Sequence, residues 1–298
     1  MIDPDLLRRF EESLEPRKLE ASADLLGCGE ISSVFAMGSA PGVAYKRLPL
    51  FASTSQARAY AESYRRYTTL LREAGLDLPE DDTCVLEVPG RPVVLYIAQR
   101  RLPGERFGHA LIRRMDGVQS HALLDSIGER IERVWAFNER RRPEVELALD
   151  GQISNWALLA EGRLLFVDTS TPLFRVQGVE QLDPELFLAS APAVLRGLLR
   201  RAFLGEVMSR YYDRRRVLLD LVANLHKEGR ADLVPVALES VNARLKGEPP
   251  LRAEEVRRYY AGDRTIWTVF QALRRLDRWL KTRAGRRYEF VLPGPIRR

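Results

Sequence analysis

Asp150-Gly-Gln-Ile-Ser-Asn155, followed by Leu164-Leu-Phe-Val-Asp168, is the stretch on which the reading of this chain turns. The step from Asp150 to Asn155 suits a tight loop. The segments 156–160 and 164–167, turning at Glu161-Gly162-Arg163, read as a hairpin that returns Asp168 to the side of Asn155. Phosphoryl transfer needs one carboxylate to orient or deprotonate the acceptor hydroxyl, and hard oxygens to hold magnesium on the phosphates. Asp150 suits the first role. Asn155 and Asp168 suit the second, because magnesium takes few protein ligands and completes its shell with water and phosphate. Taken alone, Asp150-Gly151 is also a turn and Asp168-Thr169-Ser170 also a cap.

Upstream lie Gly27-Cys-Gly29-Glu-Ile-Ser32-Ser-Val34-Phe35 and then Val43-Ala-Tyr-Lys46. Gly27 and Gly29 lack a Cβ, so their backbone can approach a phosphate closely. Strand-like residues on both sides argue for a flap over phosphates rather than a Rossmann turn, and Gly-Lys-Ser/Thr is absent, so this is no Walker sequence. Lys46 ends an apolar strand-like run, where an inward ammonium needs a partner. Glu62, on the following helix, is the expected one; Glu73 lies nearer that helix's end.

Composition bounds the rest. The 298 residues suffice for about two lobes and a sizeable core, and hydrophobic and charged fractions of 45% and 30% describe a globular chain. A net charge of +6 favours anionic ligands without specifying nucleic acid. The short basic clusters, such as Arg140-Arg-Arg142 and Arg214-Arg-Arg216, read first as solvated helix faces. Two cysteines, Cys28 and Cys84, form no framework and no zinc motif. No apolar run approaches a bilayer span, and the start is no signal peptide. The expectation is a cytoplasmic protein with no membrane partner and no nucleic-acid ligand.

Periodicity organises the chain. Asp3-Pro4 opens a helix that stops before Pro16, and residues 54–73 form a second, capped by Ser53 or Thr54. Short strands fall between 23 and 48, near 83–88 and near 92–98, the last two joined by Pro89-Gly-Arg-Pro92. Residues 119–141 are helical with Leu123, Leu124, Ile127, Ile131, Val134, Trp135 and Asn138 on one stripe. A β-rich island spans 145–168. Helices are expected at 198–228, 231–246 and 252–282, the last a candidate for a split near Gly262-Asp263, with an extended tail from Gly285. This gives an α+β chain: a small sheet crossed by one long helix, then a mainly helical remainder.

The ordered set of glycines, Lys46, Asp150, Asn155 and Asp168 resembles the protein-kinase-like fold, and is most similar to its aminoglycoside and choline phosphotransferase branch. Leu95-Tyr-Ile-Ala-Gln-Arg-Arg-Leu-Pro-Gly-Glu105 is similar to that branch's hinge. The resemblance covers about residues 22–175. It implies a two-lobed protein-kinase-like fold, with an N-terminal lobe at 1–99 of small antiparallel sheet and one long helix, and a mainly helical C-terminal lobe at 100–298. It further implies a nucleotide flap at Gly27, Gly29 and Ser32, Lys46 on the α- and β-phosphates and Glu62 holding Lys46. The backbone of Ala98, Gln99 and Arg100 would meet the adenine edge, Asp150 would be the catalytic base, and Asn155 and Asp168 would be magnesium ligands. Four positions depart from the family: Ala148 stands where a His or Tyr is usual, Thr169-Ser170 where Phe-Gly is usual, and Ser32 for the third flap glycine.

The expected activity is an ATP- and magnesium-dependent phosphotransferase acting on a hydroxyl of a small molecule. The alternative is a pseudokinase, or a nucleotide-binding module that presents a partner surface without turnover. A regulated protein kinase fits less well, because no Ala-Pro-Glu signature follows. Tyr211, Tyr212, Asp213, Tyr259, Tyr260, Asp263 and Trp267 are candidates for the acceptor pocket.

Overall fold

A computed structural model describes residues 2–15, 25–29, 31–183, 185–186, 205–285 and 287–291. The chain opens with helix α1 (Pro4–Ser13), whose first turn is capped by the Asp3 carboxylate accepting from the Asp5 and Leu6 amides. Strands β1 (Leu25–Cys28), β2 (Ser33–Met37) and β3 (Ala40–Phe51) follow, then helix α2 (Thr54–Glu73), β4 (Asp81–Leu86) and β5 (Val93–Arg100). The Ser53 hydroxyl caps α2 by accepting from the Gln56 amide. The five strands form one antiparallel sheet in the order β1-β2-β3-β5-β4.

Period-two alternation buries both faces of this sheet. Tyr45, Val94, Tyr96 and Ala98 face one way and join Leu7, with Leu6 and Phe10 of α1 packed against them. Leu48, Val93, Leu95 and Ile97 face the other way and join Tyr60, Ala61, Tyr64 and Leu71 of α2. On β3 the alternation sets Lys46 on the α2 side and Arg47 on the α1 side. Arg47 and Glu11 are 1% and 0% exposed, and pair through Arg47 Nε to Glu11 Oε2 at 2.8 Å and Arg47 Nη2 to Glu11 Oε1 at 2.6 Å. Arg91 and the Tyr96 hydroxyl also donate to Glu11. From the far end of the chain, the Glu289 carbonyl accepts from Arg47 Nη1 at 2.7 Å. Burial pushes the Glu11 carboxyl up, but Arg47, Tyr96 and Arg91 together hold it below its ordinary range.

The second half begins with α3 (Gly108–Ile112) and α4 (Gly117–Arg141), the latter started by a reciprocal cap between Asp116 and Gln119. Short strands β6 (Val145–Leu147), β7 (Trp156–Leu158), β8 (Leu164–Phe166), β9 (Phe174–Val176) and β10 (Val179–Glu180) follow. They make two small sheets, β10-β9-β6 and β7-β8. Then come α5 (Gly205–Arg210), α6 (Arg214–Lys227), α7 (Val234–Asn242) and α8 (Ala253–Arg283). The molecule is therefore mixed α+β, a small antiparallel sheet followed by a largely helical part.

Three expectations are corrected here. The helix expected over 198–228 breaks at Tyr211–Asp213, where the Asp213 carboxylate accepts from the Arg216 amide and starts α6 afresh; residues 198–204 lie outside those described. The 231–246 segment is a single 3-10 turn followed by the shorter α7, because Pro235 fixes a new first turn. Residues 253–283 form one unbroken helix through Gly262. There Asp263 pairs with Arg210 at 3.1 Å, a tertiary contact beside the glycine that offsets part of the roughly 1 kcal/mol cost of an interior glycine.

Candidate active site

The site lies where the five-stranded sheet meets the β7-β8 hairpin. β6 enters it under a clamp from α4: Asn138 Nδ2 donates to the Leu147 carbonyl at 2.8 Å and its Oδ1 accepts from the Leu147 amide at 2.7 Å. The chain then runs through Ala148 and Leu149 to Asp150. A Cβ on Gly151 would stand 2.7 Å from Val217 Cγ1, so only glycine lets this loop lie against α6. Asn155 closes the loop, its Nδ2 donating to the Asp150 carbonyl at 3.1 Å. The hairpin then returns as its length implied. The Val167 amide donates to the Asn155 carbonyl at 2.8 Å, which brings Asp168 next to Asn155.

Lys46 reaches this point from β3. Its Nζ donates to Asp168 Oδ1 and to the Val167 carbonyl, each at 3.1 Å, and the Ser170 hydroxyl donates to the same Oδ1 at 3.0 Å. The Lys46 side chain is 11% exposed and that of Asp168 43%, so the ammonium is the more enclosed of the pair. Burial pushes the Asp168 carboxyl up; the Lys46 ammonium and Ser170 outweigh it and hold it below the ordinary range. Asp150 goes the other way. Burial raises it and the nearby Asp168 adds to the rise, against the pull of Arg210 and the Gln152 amide. Two carboxyls in one site thus have their proton affinities pushed apart.

Glu62 does not join them. Only two residues from Tyr60 and from Tyr64, it falls on the opposite side of α2 once those tyrosines turn inward, and it is exposed. It lines a depression with Arg58, Arg65, Thr83, Cys84 and Val85, beside β4, and the sheet order puts β5 between β4 and β3. The partner of Lys46 is therefore Asp168, a correction to the sequence expectation. What α2 contributes instead is a row of tyrosine hydroxyls. Tyr60 donates to the Ser170 carbonyl at 2.8 Å, Tyr64 lies 3.3 Å from Thr169 Oγ1, and Tyr67 donates to the Ala148 carbonyl at 2.7 Å. Gln99 Nε2 donates to the same Thr169 hydroxyl at 3.1 Å. Three of the unusual positions, Ala148, Thr169 and Ser170, are thus buried and held by a polar side chain from the sheet half.

The remaining candidates are placed as follows. Gly27 pairs with Val34 in a bulged β1-β2 ladder, and the Gly29 amide donates to the Ser32 carbonyl at 2.8 Å, so all three belong to one hairpin tip. Ala98 and Gln99 lie inside the sheet, opposite β3 on one side and β4 on the other. Arg100 also pairs, with Val43, and its amide donates to the Glu80 carbonyl at 2.9 Å. The backbone of 98–100 is thus committed to the sheet, and the Arg101 amide donates in turn to the Gly42 carbonyl at 2.8 Å.

On the far side of Asp150 the structure adds a group the sequence did not single out. Asp220 of α6, three residues beyond the Val217 that abuts Gly151, is pushed up to about 7 by burial and by the Asp150 charge. Tyr259 of α8 hydrogen-bonds it. Arg210 donates to Asp263 at 3.1 Å and to the Tyr211 hydroxyl at 2.9 Å, while Lys227 donates to the Gln152 side chain at 3.1 Å. Of the seven residues proposed for an acceptor pocket, Tyr211, Tyr259 and Asp263 gather here. Tyr212 instead donates to Glu180 and lies under Arg175; Asp213 caps α6; Tyr260 stacks on His226. The Trp267 side chain lies outside those described. Asp220 was hidden because an i, i+3 step on a helix 70 residues downstream carries no motif.

Comparison with known proteins adds little chemistry. Residues 27–278 match the model of DUF6206, described as a family of unknown function. No curated protein matches the chain. Among solved structures, WaaP in complex with acyl carrier protein aligns at 15% identity with a TM-score of 0.32, over 79% of this chain and 98% of that one, a similarity too low to transfer anything between the two. No helix among the described residues is long and apolar enough to cross a membrane.

Proposed function

Because the chain belongs to DUF6206, a family whose function is unknown, its chemistry rests on its own site, and we propose an ATP- and magnesium-dependent phosphotransferase that acts on a hydroxyl of a small molecule. One observation supports this above the others: a strand lysine, Lys46, hydrogen-bonded to Asp168 beside the Asp150–Asn155 loop.

In this reading the hairpin tip carrying Gly27, Gly29 and Ser32 covers the phosphates and Lys46 steadies them as a point charge. Magnesium fits the donor set: Asn155 commits its amide nitrogen to Asp150, which leaves Oδ1 for a cation, and Asp168 is held ionised. Two protein oxygens suffice where phosphate and water supply the rest. Bound magnesium would neutralise charge developing on the phosphates. Asp150, its carboxylate oriented by the Gln152 amide at 3.1 Å, accepts the acceptor's hydroxyl proton. The acceptor oxygen bonds to the γ-phosphorus as the bond from that phosphorus to the β–γ bridging oxygen breaks, and ADP leaves with the electron pair.

Purified protein with ATP and magnesium, screened against hydroxyl acceptors, should release ADP in an acceptor-dependent way. Asp150→Asn should lower that turnover by about 10²–10⁴-fold while nucleotide binding persists. An Asp150→Asn protein with full turnover would remove the proposal. The alternative, nucleotide binding without turnover, draws on Ala148 and Thr169-Ser170. The hydroxyls of Tyr60, Tyr64 and Tyr67 support those same positions, so the active reading is preferred.

A further inference from the structure

Helix α8 has one side that the rest of the described chain leaves uncovered. Val269, Leu276, Trp279 and Leu280 are 53%, 48%, 52% and 49% exposed, and with exposed Ala272 they recur at the three- and four-residue steps of a single helix face. Large apolar side chains exposed together in this way mark an interaction surface rather than scatter. The exposed charged residues beside them are of one sign. From Arg264 to Arg283 the helix carries six cations, Arg264, Arg274, Arg275, Arg278, Lys281 and Arg283, and one carboxylate, Asp277, which is buried and paired with Lys281. Arg264, Arg275 and Arg283 are exposed along the apolar stripe. Arg283 lies over the Trp279 ring at 4.8 Å, placing a cation and an indole together at the edge of the stripe.

From this arrangement we propose that the exposed face of α8 docks on anionic phospholipid membrane surfaces, lying in the plane of the interface. The occupant is chosen by charge and by shape. An apolar stripe of Val, Leu and Trp bordered by arginine and free of exposed carboxylates matches a lipid surface, with tails below and anionic headgroups around. An acidic protein surface would answer the charge but would have to bring a matching apolar groove for the stripe, which a lipid interface supplies along its whole plane. Tryptophan at the rim suits the headgroup depth, where its ring is buried and its N–H stays wet. This is surface docking and not a span, so it departs from the expectation of no membrane partner without needing a transmembrane helix. It is independent of the phosphotransferase reading, since none of its residues touches that site.

The test uses the full chain, sedimented with vesicles of phosphatidylcholine alone or mixed with phosphatidylglycerol. Binding to the anionic vesicles should exceed binding to the neutral ones by about tenfold or more and should weaken with added salt. The Arg264→Gln, Arg275→Gln, Arg283→Gln triple variant should lose on the order of a hundredfold on anionic vesicles, about fivefold per arginine. Trp279→Glu with Leu280→Glu should abolish binding, and both variants should keep the parent melting temperature because the residues are exposed. No sedimentation with anionic vesicles overturns the proposal, as does undiminished binding by either variant. Tighter binding to soluble polyglutamate than to the vesicles would assign the face to an acidic protein. A dimer that Leu276→Glu converts to monomer would assign it to a second copy of this chain.

Discussion

Tyr67 holds the Ala148 carbonyl on its hydroxyl from inside the core, and stacks on Phe174 with ring centroids 6.3 Å apart. Removing that hydroxyl leaves a buried carbonyl without its donor, at a cost of about 1–3 kcal/mol. Tyr67→Phe should therefore lower the melting temperature by several degrees, and in the proposed activity reduce kcat with little change in the KM for nucleotide. Equal stability and kcat would show that the Asp150 loop does not depend on this bond. Asp220 gives a second residue-scale expectation, in pH. Its folded carboxyl is raised from an ordinary value near 3.8 to about 7, so the folded state binds its proton more tightly than the unfolded chain does. Its contribution is favourable below the unfolded value and is lost as pH rises towards 7. Asp220→Asn should thus gain about 2 °C or more in melting temperature over the parent at pH 8, and the gain should shrink towards pH 5. A constant difference across that range would contradict the assignment.

At the scale of elements, the buried Arg47–Glu11 pair joins α1 to β3. Losing the Glu11 charge leaves the buried guanidinium only Glu289 and takes the carboxylate from Arg91, so Glu11→Gln should destabilise by about 3 kcal/mol, measured by denaturant unfolding. The native Glu11 carboxyl is depressed, so its contribution is present above the ordinary carboxylate range and fades as acid protonates it. Elements also explain what sequence could reveal. Helix α2 was legible to its ends because Ser53 caps it and its tyrosines keep helical spacing. Asp150, Asn155 and Asp168 were legible as neighbours because a loop and a hairpin, both short, leave them nowhere else to go. The partner of Lys46 was not, because it depends on how far α2 rolls over the sheet, which packing decides and local spacing does not. β9 and β10 were missed because three- and two-residue strands carry too few alternations to register a period.

Across the whole molecule, the two ends of the described chain meet on the same sheet. Arg287 donates to the Leu14 carbonyl at 2.9 Å, Glu289 meets Arg47, and Val291 is 1% exposed. Truncation after Gly285 should lower the melting temperature by several degrees, because Arg47 loses a partner and buried apolar surface is uncovered. An unchanged melting temperature would show that the last residues only lie against the fold. β3 links this knot to the site through two adjacent side chains: Lys46 points to Asp168, and Arg47 points to Glu11 and Glu289. A strand that slips by one position exchanges its faces, and here the slip would trade the ammonium of the cleft for the guanidinium of the core. Both substitutes are cations and neither fits the other's place. The β2–β3 turn at Gly38–Ser39 should therefore tolerate changes of residue far better than changes of length, since one inserted or deleted residue would misfile two charges at once.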